Sequence, residues 1–496
     1  MDRRNFCVRT LGAASALLLP HRGRAAAAVA DLPAIGRTGR ELVLKGRDVA
    51  DLRAALRGDV LTAGDGGYDE ARRIWNGIFD RRPALIARCA DAADVARAIG
   101  FARSHDLLLA VRGGGHSFSG QSVCDGGLML DLSRMRGVRV DPSARIARVE
   151  GGALLEELDR ATQQFALATP AGRISHTGVA GLTLGGGFGR LTRRFGLACD
   201  NLVAADVVTA DGSRVRAGAS GDAELLWGLK GGGGNFGVVT QFEFQLHAVE
   251  PQMYGGAIAW PMRDARRLLA FHAELIEAAP GELFVDAVLT DLPDLGPAVL
   301  FSVCYSGPPA RAEEVLKPLR QQGQPLMDAL RPATYVALQS ENDDGSAPGR
   351  GNYERSGFLT RITPQLLEAA VAAMEQPRPP GTRIILSGEC GGAFSRVPSH
   401  ATAFNNRDAR STVIVQAQWP DPRDEAAAEA HLAWAGACFD SLAPFTKGFY
   451  VNTLAADDTA QRIRATYGEN YPRLVALKRR YDPANLFRRN ANIPPG

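Results

Sequence analysis

The chain has 496 residues, 45% hydrophobic and 22% charged, with a formal net charge of +3. That length supports two or three hydrophobic cores, and so small a charge, with its basic residues scattered, argues against a nucleic-acid partner held by electrostatics. Seven cysteines at irregular spacing include no CxxC pair, which argues against a structural zinc site and a disulfide framework, and no metal site is expected.

The N-terminal "MDRRNFCVRTLGAASALLLPHRGRAAAAVADLP" sets Arg3 and Arg4 before an apolar run from Leu11 to Leu19, with small residues after it. Basic, apolar and small-residue zones in this order have the shape of a signal peptide. The arginine pair resembles a twin-arginine signal, a route for proteins that fold around a cofactor before export. The apolar run is too short to span a membrane, and no later segment is long enough. Residues 1–30 are therefore read as an export signal, 31–67 as an N-terminal extension, and the protein as periplasmic or secreted, with the export machinery as a partner.

From residue 83 the pattern is strand, helix, strand. "PALIARC" is a short apolar strand. "DAADVARAIGFARSH" is a helix with Asp91 as N-cap and Val95, Ala98, Ile99 and Ala102 on one face. "LLLAVRG" is the next strand, and "GLMLDLS" and "IARVEGG" follow. "ALLEELDRATQQFA" predicts an amphipathic helix with Leu154, Leu155, Leu158, Ala161 and Phe165 roughly on its apolar side. A glycine-rich section covers 172–196. "LVAADVVTADGS" and "GVVTQFEFQLHAV" are strands, with a hairpin signal at Asp211-Gly212. From Pro251 to about 445 the runs "LFVDAVLT", "AVLFSVCYSG", "TRIILSGECGG" and "STVIVQAQW" alternate with helices such as "PQLLEAAVAAME", which predicts a separate α+β domain with an antiparallel sheet. The last fifty residues carry the helix "YPRLVALKRRYDP" and the tail "NLFRRNANIPPG".

Glycines cluster in "GDGG" (64–67), "RGGGHSFSG" (112–120), "TPAGRISHTGVAGLTLGGGFG" (169–189) and "LKGGGGNFGVV" (229–239). Loops without side chains expose successive backbone N–H groups, which form an anion-binding concavity. Three such loops in 130 residues, each beside a predicted strand, point to a ligand that carries phosphate. A dinucleotide-binding Rossmann turn is rejected, because "GGGGNFG" leads into a strand-like run and not a helix. A Walker A loop, HExxH and GxSxG are all absent. His116 is delivered by the first loop. Either it is a satisfied loop histidine, or its imidazole nitrogen is a nucleophile held beside the bound ligand.

In their order, "IWNGIFDRRPALIARC", "RGGGHSFSG", "HTGVAGLTLGGGFGRLTRRFGLACDNL", "ADVVTADG", "LLWGLKGGGGNFGVVTQFEF", "YVN" and "NLFRRNANI" resemble the berberine-bridge-enzyme-like FAD-linked oxidases of the vanillyl-alcohol oxidase, or PCMH, superfamily. The resemblance is strong over 68–250, in outline over 251–445, and clear again over 446–496. It implies a two-part PCMH-type FAD-binding domain (68–250), an α+β substrate domain (251–445), and a C-terminal segment (446–496) returning to the FAD domain.

What the resemblance implies for the site is specific. Arg112, Gly113, Gly114, Gly115, Ser117 and Gly120 cradle the FAD pyrophosphate, and His116 bonds to the 8α-methyl of the flavin. Ser175, Thr177, Gly178, Gly181, Leu182 and Gly187 run along the flavin. Asn201, Val239 and the tail residues Asn490 and Asn492 lie against the cofactor. Some relatives attach FAD a second time through a cysteine. Here that place holds Ile174, so a single link is expected, with Cys199 the nearest other thiol.

The resemblance further implies a hydride moving from a substrate C–H (alcohol, sugar or amine) to the flavin, and O2 reduced to H2O2. Tyr450, in "FYVNTL", stands at the family's catalytic tyrosine, and Asn452 shares its face if the segment is a strand. Thr177 stands at the position that gates oxygen, which favours an oxidase. The alternatives are a flavin-dependent dehydrogenase and a non-catalytic flavin carrier that passes electrons to a partner. Glu389, Tyr353, Arg407 and His400 are further polar candidates in the central domain.

Overall fold

The computed structural model describes residues 30–496, so Arg3, Arg4 and the apolar run of the export-signal reading lie outside it. The fold is α+β, built on three main sheets. The first has four strands in the order Asp59–Leu61, Leu85–Arg88, Leu128–Asp131, Leu109–Arg112. Its last three run parallel, and the helix Ala92–Ser104 makes the crossover. Asp91 caps that helix as expected, accepting from the N–H groups of Ala93 and Asp94. The helix buries Val95, Ala98, Ile99 and Ala102.

The second sheet is antiparallel, in the order Arg214–Gly218, Leu202–Val208, Val238–Gln245, Ile146–Glu150, Val138–Asp141. The Asp211-Gly212 turn does join a hairpin, with Gly212 at φ +87°. The last glycine cluster lies between the helix Ala223–Leu229 and the strand Val238–Gln245, the reverse of the dinucleotide-binding order.

The third sheet is also antiparallel. Its long strands are Met253–Pro261, Gly296–Tyr305, Leu283–Leu292, Thr382–Ser387, Ser411–Trp419 and Gly351–Leu359, in that order. The helices Ala265–Ala278, Ala312–Arg320, Pro364–Glu375 and Glu425–Leu442 cover one face. There Val285, Ala287 and Leu289 join Val299, Phe301, Val303, Ile384, Leu386, Val413 and Val415 in an apolar core. The period-2 pleat sends the intervening residues to the other face.

Several local expectations are corrected. Phe165 is 45% exposed, because the helix Leu155–Gln163 ends before it and the chain turns away. The strands Met253–Pro261 and Gly351–Leu359 were not anticipated, because Gly255, Gly256, Gly351 and Gly357 break their β patterning. Inside the glycine-rich section stands a helix, Val179–Leu184. Tyr450 and Asn452 lie on a 3-10 turn, Val451–Thr453 with Tyr450 as its cap, and not on a strand. Among the described residues no helix is long and apolar enough to cross a membrane.

The tail is held by a buried ion pair. Lys478 and Asp482 are both fully buried, with Nζ to Oδ2 at 2.7 Å. Lys478 Nζ also donates to the carbonyls of Asn235 and Phe487, each at 2.9 Å. Asp482 accepts from the N–H groups of Leu486 and Phe487. Asn235 in turn donates to the Ala491 carbonyl and accepts from the Ile493 N–H. The last glycine loop and the tail are thereby one unit. Removing one member of such a pair leaves an uncompensated buried charge, so Asp482→Ala is expected to cost about 3–5 kcal/mol of stability. Urea unfolding midpoints of the two proteins check this, and an unchanged midpoint would contradict it.

Candidate functional site

Two glycine segments cross at backbone distance. A Cβ on Gly114 would lie 2.4 Å from the Gly178 nitrogen and Cα, so neither residue can carry a side chain without separating the loops. The second segment is anchored beside the crossing by Leu155 N–H donating to Thr177 O and Val179 N–H donating to Ala153 O, each at 2.9 Å. Beside it opens a cavity of about 850 Å³. Its base is made by Gly113, Gly114, Gly115 and Ser117 of the first loop and Thr177, Gly178, Gly181 and Leu182 of the second. Gly233, Gly234, Gly237 and Val239 of the third cluster complete that base, with Asn490 of the tail.

His116 enters this cavity. Its ring stacks on Trp75 at 4.5 Å between centroids and 17° between planes, and its Nε2 lies 2.7 Å from Nδ1 of His176. Burial, then the neighbouring His176 ring, hold the His116 pKa down at about 3, so the imidazole is neutral near pH 7. Tyr450 lies across the cavity. Its hydroxyl oxygen accepts from Asn452 Nδ2 at 2.6 Å and from Gly187 N–H at 3.0 Å, and Asn452 also donates to the Leu182 carbonyl at 2.9 Å. Burial pushes the phenol pKa up against the pull of these donors, so it stands protonated.

The cavity-facing side of the large sheet is charged. Asp286, Ser302, Glu354, Ser356, Arg383, Thr412 and Gln416 face the cavity, and Asp286, Ser302 and Gln416 each stand between two core residues. Arg173, projecting from the second glycine segment, pairs with Asp286 and meets Glu389 at 3.3 Å. Arg383 donates to Gln416, and Gln416 donates to Glu354 at 2.9 Å. Burial, opposed by Arg173 and Arg383, pushes the Glu354 carboxyl up to about 7. Burial also raises the Glu389 carboxyl, against the pull of Arg173.

Not every expected residue reaches the cavity. Arg112 donates to the Ala71 carbonyl and faces Asp131. Gly120 offers its carbonyl to Arg81 and Arg489. Ser175 bonds to Asp343 through both N–H and Oγ. Gly187 serves Tyr450, and Asn201 donates to the Phe195 and Leu197 carbonyls and meets His247. Asn492 is outside the lining, but its Oδ1, like that of Asn490, is buried without a hydrogen-bond partner. Ile174 lines the cavity, Cys199 is buried away from it, and among the described residues no cysteine lines it. Of the central-domain candidates only Glu389 lines the cavity. Tyr353 faces Asp457, Arg407 is spent on Asp200, and His400 is exposed. The sequence analysis missed Trp75, Arg173, His176, Asp286, Glu354 and Arg383. The alternation in "LFVDAVLT" carried a signal for Asp286, the charged residue between buried Val285 and Ala287, and "TRIILS" a weaker one for Arg383, between buried Thr382 and Ile384.

Residues 83–218 match the family model described as an FAD binding domain, and residues 449–494 match the one described as berberine and berberine like. The chain is 31% identical to (R)-6-hydroxynicotine oxidase of Paenarthrobacter nicotinovorans, over 89% of this chain and 97% of that protein. It is 30% identical to an FAD-linked oxidoreductase of Dictyostelium discoideum, over 89% of this chain and 95% of that protein. The crystal structure of 6-hydroxy-D-nicotine oxidase from Arthrobacter nicotinovorans superposes with a TM-score of 0.81 at 30% identity, covering 89% of this chain and 98% of that one. Glucooligosaccharide oxidase from Acremonium strictum, whose FAD is 6-S-cysteinyl and 8α-N1-histidyl, gives 0.81 at 25% identity, covering 90% and 99%.

Gly114→Ala is expected to force the crossing loops apart, at about 1–3 kcal/mol for overpacking, and to lower the FAD bound per chain. Absorbance at the flavin band checks this, and wild-type flavin content in the variant would contradict it. The raised Glu354 pKa has its own consequence. Between the ordinary value of 4.5 and about 7 the folded chain holds a proton that the unfolded chain has lost. Stability therefore falls as pH rises through that window. Urea midpoints at pH 5 and pH 7.5 are expected to differ less for Glu354→Gln than for the wild type.

Proposed function

The chain belongs to the berberine-bridge-like FAD-linked oxidoreductases and is an FAD-dependent enzyme, and we propose that it is an exported oxidase whose FAD is linked once, through His116. The observation that carries this reading is one continuous cavity, with His116 and three glycine loops at its base and a charged sheet face above them. The residues fit the cofactor. The Gly114–Gly178 crossing leaves bare backbone where a pyrophosphate needs N–H groups. The Oδ1 atoms of Asn490 and Asn492, and Nε of Arg489, are buried polar groups that lack protein partners. Ile174 at the place of the second anchor leaves His116 as the one link, in contrast to the doubly attached FAD of glucooligosaccharide oxidase.

When bound, the flavin takes a hydride from a substrate C–H and passes both electrons to O2, which leaves as H2O2. The chain's own residues do the rest. Residues 68–250 and 446–496 hold the cofactor, and 251–445 present the substrate face. Asp286, Glu354, Glu389, Arg173 and Arg383 orient a small polar substrate through hydroxyl or amino groups, a chemistry shared by alcohols, sugars and amines. Tyr450, held by Asn452 and Gly187, stands at the cavity wall with its O–H free to hydrogen-bond the substrate oxygen or nitrogen. Thr177, at the position the resemblance gives to oxygen gating, lines the cavity at the second glycine segment. The twin-arginine-type leader supports export with the cofactor already in place.

The test is anaerobic mixing with amines, oligosaccharides and secondary alcohols. One class is expected to bleach the flavin, and air is expected to restore the colour with one H2O2 per substrate. Tyr450→Phe is expected to slow bleaching on the order of 10-fold, the loss of about one hydrogen bond to the reacting group. Bleaching that air does not reverse would reject the oxidase. Bleaching by Tyr450→Phe at the wild-type rate would remove Tyr450 from the chemistry.

A further inference from the structure

Strand register sorts the cavity-facing side chains of the large sheet into rows. Val288 pairs with Leu300 on one neighbouring strand and with Ile385 on the other, and Ile385 pairs with Ile414. These four aliphatic side chains therefore form one band across four strands, and all of them line the cavity. Val288, Leu300 and Ile385 are only half-buried, whereas their chain neighbours Leu289, Val299 and Ile384 on the other face are fully covered. Two residues along the strands in one direction stand Thr290, Arg383, Gln416 and Glu354, and two residues in the other stand Asp286, Ser302 and Thr412. By ordinary strand geometry the two polar rows lie about 13 Å apart, with the aliphatic band midway between them.

We propose that the band of Leu300, Val288, Ile385 and Ile414 selects the substrate, and that this substrate is a flat apolar ring system with a hydroxyl or amino group at each of two opposite ends, and not a sugar. The proposal rests on the reading that the cavity is an oxidase's substrate site, and it narrows that reading to one class. Apolar surface left facing a cavity is stabilised by an occupant that covers it with carbon. A molecule lying along the strand direction covers the band with its middle and meets polar groups only at its ends. A pyranose carries hydroxyls around its whole edge. Those placed over Val288 and Ile385 would lose their water and gain no partner.

The polar rows have capacity for such ends. In one row Arg383 donates to Gln416, and Gln416 donates to Oε2 of Glu354 at 2.9 Å, which leaves Oε1 of Glu354 to accept from a ligand O–H or N–H. In the other row Asp286 is occupied by Arg173, by the Ser387 hydroxyl at 2.9 Å and by Gly388 N–H at 3.0 Å. Ser302 there accepts from Arg190 at 3.4 Å and keeps its own O–H to donate. The band also leads to the reacting centre. Ser356 pairs with Ile414 on the next strand, and its hydroxyl accepts from Tyr450 N–H at 3.3 Å.

The test reads binding separately from turnover. The holoenzyme is titrated without oxygen with 6-(hydroxymethyl)-2-naphthol, 2-naphthylmethanol and cellobiose. A shift of the flavin band reports occupancy, and its loss reports reduction. The naphthol, polar at both ends, is expected to bind on the order of 10-fold more tightly than the naphthylmethanol, polar at one, and cellobiose on the order of 100-fold more weakly than the naphthol. Ile385→Asn, and Val288→Thr as a substitution of nearly the same shape, are each expected to weaken the naphthol on the order of 10-fold while flavin content stays at the wild-type level. Cellobiose binding as tightly as the naphthol would overturn the proposal, as would a naphthol affinity unchanged in both variants, or no naphthol binding at all. If Ile385→Asn takes up no flavin, Val288→Thr decides alone. The two readings fail differently. Cellobiose that bleaches the flavin, with the colour restored by air, would reject this substrate class and keep the oxidase. Bleaching by the naphthol that air does not reverse, with weakened binding in the variants, would uphold the band and reject the oxidase.

Discussion

Everything in the site depends on two backbones passing where no Cβ fits. The Gly114–Gly178 contact brings the loop after one sheet against the segment that follows the strand pair Ile146–Glu150 and Val138–Asp141 of another. Because the loops meet through bare backbone, their N–H groups remain free to face a ligand, and the next side chain along, His116, is delivered to the cavity edge. A bulkier crossing would separate the sheets, widen the cavity and remove the histidine from its partners. The cost of three side-chain-free segments is conformational entropy, offset here by the fully buried Lys478–Asp482 pair and the Asn235 bonds that fasten the tail over the third loop.

The large sheet divides its labour by the pleat. One face is an apolar core under four helices, and the other carries Asp286, Glu354 and Arg383 into the cavity. Charges at such depth are tolerated only when paired or hydrogen-bonded: Arg173 pairs with Asp286 and Glu389 from the opposite side of the cavity, and Gln416 links Arg383 to Glu354. That makes Arg173 a tie between the second glycine segment and the large sheet.

The parts legible in the sequence were those with local causes. Asp91 before an amphipathic run, Asp211-Gly212 between apolar runs, and glycines ending a strand at 112 each have a physical reason within a few residues. The strands Met253–Pro261 and Gly351–Leu359 were hidden because their glycines serve distant neighbours. A Cβ on Gly351 would lie 2.1 Å from the Trp419 ring, and one on Gly357 would lie 2.5 Å from Thr446. The same holds for the site. His116 was legible from its loop, whereas His176 and Trp75 acquire meaning only when chain segments 60 and 41 residues away meet the same ring. Arg112, Gly120, Ser175 and Asn201 shape the loops through protein partners and do not line the cavity, a distinction between support and contact that no motif carries.

The central claim is that His116 joins the chain to its flavin. The direct measurement is intact mass and visible absorption of the denatured protein, with peptide mapping of the yellow fragment. The account predicts one FAD mass per chain, on a peptide containing His116, and free flavin from His116→Ala. Flavin released from the denatured wild type, or a yellow peptide containing Cys199 in its place, would contradict it.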